Sequence, residues 1–188
     1  ITWIQADIES LEKTLDHKLE VEFVIHLAEM TLIDKVLDSL NNVKRVIALS
    51  STSAISKINS KNIKDRDLAI GLQLAEKDFI DICHDNHINW TIFRPTLIYG
   101  AGIDQNVAFI SSFIEKYSFF PILGEGNGLR QPVHACDLAK ACLLSMENKK
   151  TFKKTYNLAG AETIKYIDMV RKISKSLNKK VIIIKIPK

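Results

Sequence analysis

Three short β-rich runs set the strongest constraint on this chain: VEFVIHL at 21–27, VKRVIAL at 43–49 and INWTIF at 88–93. Between the first two, Met30, Ile33, Val36, Leu37 and Leu40 recur at helical spacing. Before the third, residues 64–86 place Leu68, Leu72, Ala75, Phe79 and Ile82 along one helical face. Parallel strands need a crossover long enough to hold a helix, and both intervals provide one. The expected fold is therefore α/β, a parallel sheet wound with right-handed crossovers.

Beyond Arg94 and Pro95 the texture changes, and six of the seven glycines lie past residue 99. Helical patterns are expected at 104–117, 136–147 and 164–177, with β-rich pieces near 154–159 and 181–186. This suggests a sheet-forming part at 1–98 and a second, loop-rich part at 99–188 interleaved with the same sheet. A length of 188 residues with 46% hydrophobic and 26% charged side chains suits one domain with a substantial core, and excludes disorder and fibre. No eighteen-residue apolar run occurs and the first twenty residues are acidic, so neither a membrane span nor a secretory signal is expected.

Cys83, Cys136 and Cys142 form no zinc or disulfide spacing, which points to a reducing cytoplasm and to no bound metal. Charge is uneven: residues 1–40 hold nine acids against three lysines, while residues 149–188 hold twelve basic side chains against two acids. A basic end is a nucleic-acid signal. Here, however, Ile164, Ile167, Met169, Val170, Ile173 and Leu177 draw an apolar stripe through it, so its lysines read as a solvated helix face, without nucleic acid or membrane as partner.

In open parallel sheets ligands gather at the carboxyl ends of strands, where loops and helix amino-termini offer free donors. Three ends matter here: Leu27-Ala28, Ser50-Ser51-Thr52 and Arg94-Pro95-Thr96. Ala28 is small enough for a planar ring to approach the backbone. The hydroxyls at 50–53 suit a carbonyl, a carbinol or a carboxamide, and would equally begin a loop and cap the next helix.

Four segments in order, VIHLA, VKRVIALSSTS, WTIFRPTLIYG and GLRQPVHACDLAKA, resemble the extended branch of the short-chain dehydrogenase/reductase superfamily, its nucleotide-sugar epimerases and dehydratases. The similarity runs from about residue 3 to residue 177. It implies a Rossmann-like doubly wound sheet holding NAD or NADP, with a small carboxyl-terminal lobe that takes the substrate. By the same resemblance, Asp7 and Ile8 contact the adenine, Leu27 and Ala28 lie along the adenosine, and Ser50, Ser51 and Thr52 form the strand end carrying the catalytic hydroxyl at Ser51 or Thr52. Pro95 and Thr96 resemble the turn beside the nicotinamide. Arg130, His134 and Asp137 match the family's Arg-x-x-x-(Val/His)-x-x-Asp pattern. Arg130, in a glycine-rich loop, is the candidate grip for a phosphate or carboxylate, and Asp137 reads first as a helix cap.

The chain departs from the family in two places. The Gly-x-x-Gly-x-x-Gly turn that brings a pyrophosphate to a helix amino-terminus is not found before Asp7; with Ile1 as first residue, either it lies upstream or this chain does not hold a dinucleotide in the usual way. The Tyr-x-x-x-Lys pair is also missing: none of Tyr99, Tyr117, Tyr156 and Tyr166 is followed four places later by lysine. Anchoring on Glu76 in QLAEKDF puts Leu68 and Leu72 where the pair belongs. A free phenol has a pKa of about 10 and needs the lysine to work near neutrality. Tyr99 and His134 are the substitutes considered for the proton donor, each with packing as its plainer role. His26, inside an apolar strand, reads as structural.

Two functions follow. One is an NAD(P)-binding oxidoreductase or epimerase acting on a nucleotide sugar or a related hydroxyl-bearing metabolite, with a homodimer kept open as its assembly. The other is a catalytically inactive cofactor-binding module, a redox sensor or assembly subunit, which the loss of the Tyr and Lys would permit.

Overall fold

β-branched and aromatic side chains crowd the three expected strands, and all three form. The computed structural model describes residues 3–187 except 14, 16, 101 and 103. A 3₁₀ segment, Ile8–Lys13, leads to β1 (Leu19–Glu20), β2 (Phe23–His26), α1 (Ile33–Asp38), β3 (Leu40–Asn41), β4 (Arg45–Leu49), α2 (Ser53–Ser56), α3 (Ile63–Asp85) and β5 (Asn89–Pro95). Then come β6 (Ile98–Tyr99), α4 (Val107–Tyr117), β7 (Phe119–Leu123), β8 (Leu129–Arg130) and β9 (Val133–His134). The chain continues through α5 (Ala135–Ser145), β10 (Lys154–Leu158), β11 (Ile164–Lys165), α6 (Tyr166–Ser176) and β12 (Ile182–Ile186).

Two compact units result: Ile1–Arg94 with Lys140–Asn157, and Pro95–Ala139 with Leu158–Lys188. The first change of unit therefore falls at 94/95, whereas the sequence suggested 98/99.

The first unit is built on a sheet of order β10-β5-β4-β2, in which β2 pairs with β4 and β4 with β5 in parallel. Val46, Ile47 and Ala48 in β4 are fully buried, as a strand covered on both faces requires. α3 starts cleanly because Asn62 accepts the Lys64 amide at 3.0 Å, an N-cap. Its buried residues are Ala69, Ala75, Glu76, Phe79 and Cys83. The expected stripe is thus rotated: Leu68 is 47% exposed. Small Ala69 and Ala75 allow close packing, and Phe79 meets Trp90 edge-on with ring centroids 6.2 Å apart. Met30, Ile33, Val46, Ala48, Phe79 and Ile92 belong to this core.

Arg45 lies inside that unit, only 2% exposed. It donates to the carbonyls of Ser145 (3.0 Å) and Met146 (3.2 Å) and to the hydroxyls of Thr91 (2.6 Å) and Thr151 (3.0 Å). Two of its bonds therefore satisfy carbonyls at the carboxyl end of α5, which helix geometry leaves without partners. Phe152 stacks under the guanidinium at 4.5 Å. Burial disfavours the charged form and pulls the Arg45 pKa down to about 10.

In the second unit β7 and β12 pair in parallel, and α4 and α6 bury Ile110, Ile114, Ile167, Val170 and Ile173 with Phe120 and Ile122 of β7. The apolar stripe expected around α6 is the one that is buried, although Ile164 belongs to β11 rather than to the helix. β7 was not expected: Pro121 lies at its centre, and proline removes a ladder donor. Cys83 and Cys142 are buried, while Cys136 is exposed. No described helix is long and apolar enough to cross a membrane.

Candidate functional site

In the first unit the parallel strands end where ligand chemistry is expected. β2 ends at His26, whose ring Nε2 lies 2.9 Å from the Glu29 carbonyl and which is buried, as a structural residue should be. Leu27 follows with 66% of its surface exposed, and Ala28 is half-buried.

At the next strand end the hydroxyls divide their work. Ser50 ties its backbone amide to the Phe93 carbonyl at 2.8 Å, joining the ends of β4 and β5, and donates its hydroxyl to Glu76 at 2.5 Å. Ser51 accepts the Ser53 amide on Oγ at 3.1 Å, a turn bond leading into α2, whose N-cap position is Thr52. That bond uses oxygen as the acceptor and does not consume the hydroxyl hydrogen. Thr52 gives its carbonyl to the amides of Ile55 and Ser56 at 3.1 and 3.0 Å. The turn role and a ligand-polarising role are therefore compatible at Ser51.

Upstream, Asp7 is exposed and accepts the Glu9 amide at 3.0 Å, opening the 3₁₀ segment in which Ile8 is half-buried. The structure gives Asp7 a turn-forming role beside the adenine contact that the resemblance implies.

Glu76 is the functional-looking residue that sequence reasoning used only as a counting anchor. It is 4% exposed, yet it carries a carboxylate that accepts Arg94 Nε at 2.8 Å, Arg94 Nη2 and the Ser50 hydroxyl. The Glu76 bond raises the Arg94 pKa above its ordinary value. α3 is continuous from Ile63 to Asp85, so counting back from Glu76 meets no break before Leu72 and Leu68. Neither carries a titratable group.

The second unit holds the remaining candidates. Pro95 is buried, and Thr96 donates its amide to Leu158 at 2.9 Å and its hydroxyl to the Gln131 carbonyl. Tyr99 and His134 are brought together: β6 and β9 pair in parallel with these two residues in register, and their rings meet edge-on at 5.1 Å. His134 Nδ1 accepts the Cys136 amide at 3.2 Å, so the neutral ring carries its proton on Nε2. A Cβ at Gly100 would stand 2.9 Å from that Nε2 and would displace the imidazole, and the φ of +129° is a conformation that favours glycine. Tyr99, His134 and Asp137 line a pocket of about 530 Å³ whose rim carries Glu162 and Lys172, an ion pair.

Arg130 sits elsewhere. It lines a pocket of about 630 Å³ with Gly124, Gly126, Gly128 and Tyr166, its guanidinium lies 5.4 Å from the Tyr166 ring, and it donates to the Leu129 carbonyl at 2.8 Å. Burial raises the Tyr166 pKa, and the Arg130 charge partly opposes this. Gly128 and Gly126 give their carbonyls to the Tyr166 and Ile167 amides at 2.8 and 3.1 Å, seating the glycine turn on the start of α6. The two residues expected to touch substrate thus line different pockets.

A constraint the sequence did not reveal is Gly160. A Cβ there would fall 1.8 Å from the Pro132 carbonyl oxygen, while Gln131 Nε2 donates to the Gly160 carbonyl at 2.7 Å. Among the described residues no cluster of three His, Cys, Asp or Glu is placed to hold a metal.

The fold is that of the Rossmann epimerases. A UDP-glucuronic acid 4-epimerase from Bacillus cereus, in complex with UDP-glucuronic acid and NAD, superimposes with a TM-score of 0.68 at 16% identity, over 84% of this chain and 54% of that one. In sequence, the UDP-glucose 4-epimerase of Vibrio cholerae is 22% identical over 94% of this chain and 54% of its own length. The mitochondrial NADH dehydrogenase [ubiquinone] 1 alpha subcomplex subunit 9 of Dictyostelium discoideum is 27% identical over 87% of this chain and 47% of its own length. The chain spans about half the length of these curated relatives. The family model that matches is that of the NAD dependent epimerases and dehydratases, whose cofactor is NAD. With residues 2–159 matching, the chain belongs to the NAD dependent epimerase/dehydratase family.

Proposed function

We propose that the natural protein binds NAD or NADP and acts on the carbinol of a nucleotide sugar, as an epimerase, dehydratase or reductase. The observation that carries this reading is the β4 exit, where Ser51 and Thr52 follow a buried parallel strand at its carboxyl end. A bound nicotinamide supplies hydride exchange with the substrate carbon. In the first unit, Leu27 and Ala28 would lie along its adenosine.

In the first unit, the Ser51 hydroxyl hydrogen and the Thr52 side chain orient and polarise the substrate oxygen. In the second, Arg130 offers a planar fork to a diphosphate, stiffened by Tyr166 beneath it. Tyr99 or His134 is the proton-donor candidate of that unit, and in the neutral His134 ring Nε2 carries the hydrogen and can donate a hydrogen bond.

A second reading has its own support. Leu68 and Leu72 occupy an unbroken helix where the family places its Tyr and Lys, which favours a cofactor-holding module without turnover. The natural protein, incubated with NAD(H) and a panel of UDP- and dTDP-sugars, separates the two. Turnover that Thr52→Val lowers by about a hundredfold supports the enzyme, in line with general estimates for losing one polarising donor. NADH binding without turnover on any sugar supports the module. Absence of both overturns the cofactor reading.

A further inference from the structure

A carboxylate buried to the extent of Glu76 is costly unless its lone pairs are taken, and here they are. The Arg94 fork engages both oxygens, fixing the plane of the carboxylate, and the Ser50 hydroxyl adds a third bond at 2.5 Å. Three consequences follow from this count. The Ser50 hydrogen is committed to Glu76 and is not available to a ligand. The Ser50 side chain is held in one rotamer. The exits of β4 and β5 are joined twice, once through the Ser50 amide and Phe93 carbonyl at 2.8 Å and once through Glu76, which bridges Ser50 to Arg94.

Stability alone is a poor account of such a network, because replacing a buried ion pair by apolar side chains of similar volume is often neutral or stabilising. Its placement is more informative. It braces the residue immediately before Ser51 and Thr52, at the end of the sheet where ligand chemistry is expected. It leaves the other end of the strands untouched.

We propose that Glu76 is a positioning residue for the strand-end hydroxyls: held by Arg94, it fixes Ser50 and thereby sets where Ser51 and Thr52 present their oxygens to a nicotinamide carboxamide or a substrate carbinol. This rests on the NAD(P) reading above. Glu76 touches no ligand and acts only through Ser50.

The test uses the natural protein and two probes, NADH by fluorescence titration and ADP-ribose by calorimetry. ADP-ribose keeps the adenosine and pyrophosphate of the cofactor and lacks the nicotinamide. Glu76→Gln removes the charge that Arg94 grips, and Arg94→Lys keeps a cation without the planar fork, so one variant carries the test should the other fail to fold. Both variants are expected to bind NADH about tenfold more weakly, the scale of one charge-assisted hydrogen bond, and ADP-ribose within about twofold of the parent. Equal losses for both probes, or no loss for NADH, overturn the positioning role and leave cofactor binding standing. A parent protein that binds neither probe overturns the cofactor reading and this inference with it.

Discussion

Arg45 and Glu76 are both charged and both buried in the first unit, but they are accommodated in opposite ways. Arg45 opens β4 and spends its donors on neutral carbonyls and hydroxyls, with no carboxylate among its hydrogen-bond partners in the described residues; burial lowers its pKa to about 10. Glu76 braces the exit of the same strand and is matched by a full counter-charge. The amino end of the sheet thus uses a charge to close a helix terminus, whereas the carboxyl end uses one to aim hydroxyls. In a parallel sheet those two ends carry architecture and chemistry respectively.

The sharpest way to break this contrast is Arg45→Met. It strands several buried acceptors, so urea titration should show a loss of about 3 kcal/mol or more. NADH affinity per folded molecule should not change. An NADH defect at matched stability would erase the distinction between the two ends.

Glu76→Gln should show the inverse pattern in NADH affinity, although leaving Arg94 without its counter-charge also costs about 3 kcal/mol in the same titration. If NADH affinity per folded molecule is unchanged, the carboxyl end is architectural too.

Cys83 sharpens the amino-end half. Burial raises its pKa from 9.0 to about 12, the nearby Arg45 charge opposing. The buried thiol stays protonated while the unfolded one ionises, so its contribution is fully present below pH 9.0 and is lost as pH climbs towards about 12. Cys83→Ala should flatten the decline of stability across that window, read from melting temperatures at several alkaline pH values. An unchanged slope would remove Cys83 from the account.

The smallest stability effect is expected on α3 itself. The double variant Leu68→Tyr, Leu72→Lys substitutes an exposed and a half-buried position and should alter stability by no more than about 0.5 kcal/mol. Turnover of a nucleotide sugar should rise if only the proton relay is wanting. No rise would strengthen the module reading.

Much of this is legible in the sequence, for physical reasons that particular residues display. β2, β4 and β5 announce themselves because a doubly covered strand must be apolar almost throughout. Arg45 hides in the VKRVIAL run because one buried cation does not disturb that pattern. α3 was found but rotated, since Leu68 and Leu72 outweigh Ala69 by hydrophobicity while close packing selects the smaller side chain. Glu76 was read only as a marker: a carboxylate on a helix looks solvated until Arg94, eighteen residues on, is seen to reach it. The pairing of Tyr99 with His134 depends on two-residue strands, too short to leave a periodic signal. The separation of Arg130 from His134 into different pockets arises from how the glycine turn seats on α6, which no spacing rule encodes.

Gly160 carries a consequence of a different kind. With a carbonyl oxygen 1.8 Å from the place of its missing side chain, position 160 tolerates a single residue type unless the backbone itself gives way. In a library covering every single substitution and selected only for folded product, that site should therefore stand out as monomorphic, whichever substrate or none is supplied. Such a scan would register a veto written by main-chain crowding, and should not mistake the silence for catalysis.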